Sequence, residues 1–279
     1  MPSFRYKGHR IAYREFGSGP RICVLIHGLL LSQRMHEPLA RDLVARGNRV
    51  LTIDLLGHGL SDRPPEPWNY SIPGCAEQVV GLLDHLGLEQ AVIAGTSLGA
   101  NTTLEACFLA PERVRGMVIE MPVLDQALIA CVVAFTPLMI GLTFGGPLVK
   151  LVARTARAVP RWSLTFYGNV LLDAVRQEPG PSGAVIEGLF FGRVAPHPEQ
   201  RRTFAPPTLV IGHRRDPVHP LSDAGMLADE LPNARLIEAN SIIELRVSPE
   251  RLTTEIADFL DTCWKPARGA TRRRRATAS

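Results

Sequence analysis

The sequence lacks the features of disulfide-bonded, metal-binding and nucleotide-binding proteins. Its five cysteines are odd in number and scattered, with no Cys-x-x-Cys pair. We therefore expect buried small apolar residues in a reducing compartment, not disulfides or metal ligands. No zinc-finger, P-loop or dinucleotide-type glycine pattern occurs, so neither a cofactor nor a metal is expected. Residues 4–16 alternate polar and apolar around a glycine, which indicates a β-hairpin and not a signal peptide. A cytoplasmic protein is predicted.

The body of the chain also lacks a strong charge. The net charge is +4, but five arginines between residues 268 and 279 contribute +5, which leaves −1 for the rest. We expect residues 266–279 to be a disordered basic tail. Such a tail can touch nucleic acid or anionic lipid, but we favour a solvated terminus and expect no nucleic-acid partner.

The chain does contain a regular alternation of strand and helix patterns. After the hairpin, short apolar runs rich in β-branched residues lie at 21–26, 49–54, 90–94, 115–120, 208–212 and 234–238. Helix patterns lie at 36–46, 73–86, 98–110, 220–231 and 249–263. Such short runs are typical of strands that helices bury on both faces. The fold class is therefore predicted to be α/β, with a mainly parallel central sheet, flanking helices and ligands at the carboxyl ends of the strands.

One long interval interrupts this alternation. Residues 121–206 separate two successive strands, far more than one crossover needs. No charge occurs from Ala127 to Val149, and that length alone would permit a membrane span. Because Pro137 and a Gly-Gly-Pro sequence interrupt the run, we favour a helical cap that roofs an apolar pocket. A membrane span and a purely structural insertion are the alternatives. The predicted organisation is a core at 1–121 and 207–265, a cap at 122–206 and the tail at 266–279.

The sequence Gly95-Thr96-Ser97-Leu98-Gly99 lies between a strand pattern and a helix pattern. A Gly-x-Ser-x-Gly turn in that context is typical of a nucleophile elbow. Small flanking residues are needed because side chains there would collide with the strand and the helix. The serine hydroxyl would then lie at a helix N-terminus, which favours negative charge. An ordinary strand-to-helix turn is the alternative, and the context favours Ser97 as a nucleophile.

With three further motifs, the chain resembles the α/β-hydrolase superfamily from Phe4 to about Trp264. His27-Gly28-Leu29 is similar to the family's HG-x segment. Residues 54–62 resemble its D-x-x-G-x-G-x-S loop, and residues 212–220 resemble the loop after the seventh strand. In the family, that last loop carries the aspartate of the catalytic triad.

The resemblance implies a role for each matching residue. Ser97 would be the nucleophile, and the backbone N–H groups of Leu29 and Leu98 would form the oxyanion hole. Asp216 would orient a histidine, although it can also be a loop-capping carboxylate before Pro217. An epoxide hydrolase or haloalkane dehalogenase of this superfamily would need aspartate at position 97.

The triad histidine of the family is missing. The loop at 239–249, where the family places it, contains no histidine, and the expected position falls near Ile242. His219 and His213, three residues to either side of Asp216, are candidate substitute bases. For each of them a structural role is favoured, because a base must come within about 3 Å of the serine hydroxyl.

Other residues near the expected site are weaker candidates for the base. His27 and His58 lie on loops at the active edge, where such residues usually support backbone turns. Glu120 and Glu244 are acids near the expected position, and an apolar pocket can raise a carboxylate's pKa enough for it to accept protons.

Two functions follow from these residues. The leading hypothesis is a cofactor-independent serine hydrolase or acyl transferase that acts on an ester, thioester or similar bond of a small apolar substrate. Ser97 would attack, and a nonstandard base would work with Asp216. The alternative is a catalytically degenerate relative that binds an apolar ligand or partner beneath the cap. In a third, less favoured hypothesis, the uncharged cap segment and the arginine tail dock the protein on a membrane.

Overall fold

A computed structural model describes residues 1–265, so the predicted tail at 266–279 lies outside the described residues. Eight strands form one sheet within this range. The strands are β1 (Ser3–Tyr6), β2 (His9–Phe16), β3 (Ile22–Ile26), β4 (Arg49–Ile53), β5 (Ala91–Thr96), β6 (Val114–Glu120), β7 (Thr208–His213) and β8 (Ala234–Ala239). Their order is β1-β2-β4-β3-β5-β6-β7-β8. The hairpin β1–β2 is antiparallel and joins β4 antiparallel, whereas β3 to β8 run parallel. The predicted fold class is confirmed.

Helices follow the strands as the alternation predicts. Those of the core are α1 (Glu37–Ala45), α2 (Ile72–His85), α3 (Leu98–Leu109), α9 (Leu221–Glu230), α10 (Glu244–Val247) and α11 (Glu250–Trp264). The segment 122–206, which we call the cap, contains α4 (Ala127–Phe144), α5 (Gly146–Ala158), α6 (Phe166–Val175), α7 (Pro179–Phe190) and α8 (Pro198–Arg201). The uncharged run is therefore largely one helix, which continues through Pro137.

The two faces of the sheet are covered by different helices, because side chains alternate along each strand. Val24 and Ile26 of β3 belong to a buried cluster that includes side chains of α2, α3 and α9. Cys23 and Leu25 belong to a second cluster with α1 and α11. All residues of β3 are buried, which explains its continuous apolar sequence.

A buried carboxylate joins the cap to the core. Asp223 of α9 is fully buried and accepts hydrogen bonds from the backbone N–H groups of Leu124, Gln126 and Ala127, at 2.8, 3.1 and 3.0 Å. These amides lie at or just before the start of α4, where N–H groups have no intrahelical acceptor and the helix dipole favours negative charge. Asp223 thus fixes the point at which α4 leaves the core.

We expect Asp223→Ala to lower the free energy of unfolding by about 1–3 kcal/mol, because it leaves buried amides without acceptors. Urea denaturation followed by circular dichroism measures this change. Asp229→Ala, at an exposed position of the same helix, is the matched control and should change stability by less than about 0.5 kcal/mol. Equal effects of the two substitutions would contradict the anchoring role of Asp223.

Candidate active site

The Gly-x-Ser-x-Gly sequence forms a sharp turn between β5 and α3. Ser97 has φ +54° and ψ −111°, a strained conformation for a residue with a side chain. A Cβ atom on Gly95 would lie 2.0 Å from the carbonyl oxygen of Gly99, and one on Gly99 would lie 2.2 Å from that of Ile26. Both positions therefore require glycine. The turn is held in place by a hydrogen bond of 2.9 Å from the Ser97 N–H to the Glu120 carbonyl of β6.

The structure brings His219 between Ser97 and Asp216. The Nε2 atom of His219 lies 2.9 Å from the Ser97 hydroxyl oxygen, and its Nδ1 atom lies 3.0 Å from Asp216 Oδ2. An imidazole that donates its Nδ1 proton to the carboxylate can accept the hydroxyl proton at Nε2. The sequence alone favours a structural role for His219. In the structure, however, the imidazole ring makes both contacts that a general base needs.

Asp216 is held by the loop that carries it. Its second carboxylate oxygen, Oδ1, accepts hydrogen bonds from the backbone N–H groups of Val218 and His219, at 2.8 and 2.9 Å. Burial raises the pKa of Asp216, but the bonds from the His219 ring and from these amides outweigh burial and lower the pKa to about 2. The carboxylate is therefore ionised near neutral pH. It caps its loop and orients the imidazole at the same time.

His213 does not make these contacts. Its Nδ1 atom bonds the Ser241 carbonyl at 3.0 Å, and its Nε2 atom lies 3.5 Å from Glu120 Oε1. Burial lowers the pKa of His213, but the adjacent Glu120 carboxylate more than offsets this, so the pKa is raised overall. The ring therefore packs against Glu120 and not against Ser97, and His213 is not supported as the substitute base.

The two candidate acids are also engaged elsewhere. Glu120 accepts hydrogen bonds from the Thr96 hydroxyl and from Arg246, whose Nη2 atom is 2.7 Å away. Burial raises the pKa of Glu120, but the Arg246 and His213 side chains hold it well below its usual range. A hydrogen bond from Arg251 lowers the pKa of Glu244. Because a carboxylate of low pKa is a poor proton acceptor, neither acid is a suitable base.

The remaining histidines at this edge support loops, as expected. His27 accepts the Leu55 N–H at Nε2, and His58 bonds the Leu56 carbonyl through Nδ1. Both are buried, and burial holds the pKa of each ring below its usual value. Both imidazole rings are therefore uncharged near neutral pH and hold the loops around them in place through hydrogen bonds.

The loop after β8, where the family places its histidine, supplies an arginine instead. Ile242 is partly exposed to solvent, while Arg246 reaches under the elbow to Glu120 and to the Thr96 hydroxyl. Sequence reasoning identified Glu120 and missed Arg246. The signal that could have predicted Arg246 is Glu120 itself, because a carboxylate at the end of a buried strand needs a cation close by.

Leu29 and Leu98, whose N–H groups are the expected oxyanion donors, line the same cavity as Ser97. Leu98 is the first residue of α3, so its N–H has no acceptor within the helix. Leu29 lies in the turn after β3, in which Leu30 has a positive φ of 58°. The Leu30 carbonyl accepts a hydrogen bond of 2.9 Å from Gln177 of the cap. The cap thus contacts the turn that contains Leu29.

An apolar cavity of about 270 Å³ lies over Ser97. Its walls come from the core on one side and from the cap on the other, where α4, α7 and the residues flanking them contribute. The lining includes Leu128, Cys131, Val132, Phe135, Ile186 and Phe190. Within residues 1–265, no group of three or more His, Cys, Asp or Glu side chains is arranged to hold a metal ion.

Comparisons with known proteins identify the fold. A family model described as alpha/beta hydrolase fold matches residues 23–241. The enol-lactonase from Burkholderia xenovorans LB400 is similar in structure, with a TM-score of 0.75 and 23% identity over 93% of this chain and 100% of that one. At this identity the likeness shows the fold alone.

Two curated relatives extend the comparison. The bifunctional epoxide hydrolase 2 of Sus scrofa is 37% identical over 110 residues, which are 39% of this chain and 20% of that protein. The chain therefore spans about a fifth of that relative. An uncharacterized protein of Mycobacterium tuberculosis is 27% identical over 274 residues, 91% of this chain and 79% of that protein. Because the family model covers most of the chain and the sheet has the expected topology, the chain belongs to the α/β-hydrolase fold family.

Proposed function

We propose that this protein is a serine hydrolase that cleaves ester-type bonds of a small apolar substrate, with Ser97 as nucleophile, His219 as base and Asp216 as the orienting acid. The observation that carries the proposal is the pair of contacts made by His219, at 2.9 Å to Ser97 and 3.0 Å to Asp216. These are the contacts that general-base activation of a serine requires.

The proposed reaction has two steps. In the first, the Ser97 oxygen attacks the carbonyl carbon while His219 Nε2 takes the hydroxyl proton. The resulting oxyanion accepts hydrogen bonds from the N–H groups of Leu29 and Leu98. The carbon–oxygen or carbon–sulfur bond then breaks, and His219 returns the proton to the leaving group. In the second step, water attacks the acyl-enzyme with His219 again as base, which releases the acid and restores Ser97.

Electrostatics support this division of roles. Backbone donors do not reorganise during the reaction, and removing one such donor typically costs about 3–4 kcal/mol of transition-state stabilisation. The ionised Asp216 stabilises the imidazolium that forms when His219 holds the proton. An acyl transferase would differ only in the second step, in which another nucleophile would replace water and accept the acyl group.

The apolar walls of the cavity support the substrate class. The side chains of Leu128, Val132 and Phe135 leave few polar partners for a charged acyl group. The similar enol-lactonase acts, by its name, on a cyclic ester. Epoxide hydrolysis is not proposed, because Ser97 stands where that chemistry needs an aspartate. A catalytically degenerate relative is the alternative because the family's histidine is missing from its usual loop. The contacts of His219 with Ser97 and Asp216 favour the hydrolase instead.

Fluorophosphonate labelling tests the nucleophile. We expect the folded protein to be labelled and Ser97→Ala to be unlabelled, with kcat on short acyl esters lowered at least about a thousandfold. Ser222→Ala, at an exposed position of α9, is the control and should keep labelling and turnover. Equal labelling of Ser97→Ala, or no labelling of the native protein, would refute the proposal and favour a ligand-binding relative.

Substitutions of the two candidate histidines test the base. His219→Ala should lower kcat by about 10³-fold or more, and Asp216→Asn by about 10⁴-fold, because the imidazole is lost or adopts the wrong tautomer. His213→Gln should remain labelled and active, because the ring bonds Ser241 and faces Glu120. Steady-state kinetics on variants with native circular dichroism measure these effects. Full activity of His219→Ala would show that another residue takes the proton.

The low pKa of Asp216 predicts a pH-dependent contribution to stability. The pKa falls from an ordinary 3.8 to about 2 on folding. The ionised carboxylate therefore contributes stability that is fully present above about pH 4 and is lost as the pH falls towards 2. The difference in unfolding free energy between the native protein and Asp216→Asn should shrink over this interval. Urea denaturation at a series of pH values measures it, and a difference that stays constant from pH 4 downwards would contradict the assignment.

A further inference from the structure

Helix α4 exposes an apolar stripe that no other part of residues 1–265 covers. Among its residues, Ala127 alone is buried, and the side chains of Ile129, Val133 and Phe144 are 76%, 69% and 80% exposed. With Ile140, they lie at spacings of four, seven and four residues, which places all four on one side of the helix. Contiguous exposed apolar surface of this kind marks a site of contact with a partner or a membrane.

The opposite side of α4 has a different task. Leu128, Cys131, Val132 and Phe135 line the cavity over Ser97, and the helix packs along α7. By length and composition, α4 is the one described helix that could cross a membrane. A crossing would surround these cavity-lining side chains with lipid and separate them from the core. The geometry therefore favours a helix that lies along a surface.

Helix α5, which directly follows α4, carries further exposed apolar side chains and positive charge. Leu148, Leu151 and Val152 are exposed on one side of α5. Lys150, Arg154 and Arg157, at spacings of four and three residues, form a second stripe and are also exposed. Within residues 1–265 these three cations take part in no ion pair, whereas the neighbouring Arg161 pairs with Asp173. Trp162 follows α5 and is 88% exposed.

The charge pattern selects one partner. Residues 126–172 contain four basic residues and no acidic one. A second copy of the chain, packed through the same surface about a two-fold axis, would bring like charges together. An anionic bilayer instead offers negative headgroups to the cations and an apolar interior to the stripe, and exposed tryptophan is common at that boundary.

We propose that α4 and α5 dock the protein on the surface of an anionic membrane, with Ile129, Val133, Ile140 and Phe144 inserted at the boundary between headgroups and acyl chains. Docking would bring the cavity wall formed by α4 next to the lipid, so that an apolar ester dissolved in the bilayer has a short path to Ser97. That delivery rests on the proposed function, whereas the docking itself does not.

Flotation of the full chain with vesicles tests the docking. We expect co-flotation with phosphatidylcholine–phosphatidylglycerol vesicles, weaker co-flotation with phosphatidylcholine alone, and a loss of the difference at high salt. The triple variant Ile129→Ser/Val133→Ser/Phe144→Ser should bind at least about tenfold more weakly, because each side chain contributes apolar burial. Lys150→Gln/Arg154→Gln should lose the preference for the anionic vesicles.

Matched controls separate docking from catalysis and from misfolding. Trp68→Ser removes an equally exposed side chain, 81% exposed, outside the cap and should float like the native protein. Ser97→Ala should also float normally. The triple variant should keep its circular dichroism and its hydrolysis of a water-soluble ester, because none of its three positions lines the cavity.

Three results would overturn the proposal. The first is a native chain that does not float with anionic vesicles. The second is a triple variant that floats as well as the native chain, which would make the arginines at 268–275 the anchor. The third is a dimer in gel filtration without lipid that the triple substitution dissociates, which would make the stripe an interface between copies.

Discussion

The close approach of helix α3 to strand β3 at Gly99 is the constraint on which the geometry of the active site depends. Any side chain at Gly99 would meet the carbonyl of Ile26, and any side chain at Gly95 would meet Gly99 itself. The absence of both lets the chain turn sharply and holds Ser97 at a positive φ. The cost of this strain is offset by the buried strands on both sides, which leave the turn no room to relax.

The proposed acid and the proposed base lie on one short loop. Asp216 and His219 are three residues apart, and the carboxylate bonds both the ring and the backbone of that loop. In most relatives of this fold, as the resemblance implies, the histidine comes from the loop after the last strand. Here that loop is free for another use, and Arg246 neutralises Glu120 directly beneath the elbow. A charge pair at this depth is costly to break, because removing one partner leaves the other buried and unpaired.

The cap is tied to the core by hydrogen bonds and also forms part of the cavity wall. Asp223 fixes the start of α4, and Gln177 donates a hydrogen bond to the turn that contains Leu29. One side of α4 forms the wall of the cavity, and the other side is open. An apolar residue on α4 is therefore not by itself evidence of a buried position. Its position around the helix decides whether its side chain lines the cavity or is exposed.

The sequence by itself determined the sheet, the order of its elements and the turn at Gly95–Gly99, because these depend on local periodicity and on glycine at strained turns. It named Ser97 and Asp216 as candidates through motifs that resemble the family. It also correctly indicated one long helical interval between β6 and β7. The contact of His219 with Ser97, the pairing of Arg246 with Glu120 and the exposure of the α4 stripe were decided by tertiary structure. Each depends on distances between residues that are far apart in the chain, such as the 122 positions between Ser97 and His219. Spacing along the sequence cannot supply such distances, because they are set by how the loops and the cap pack on the sheet.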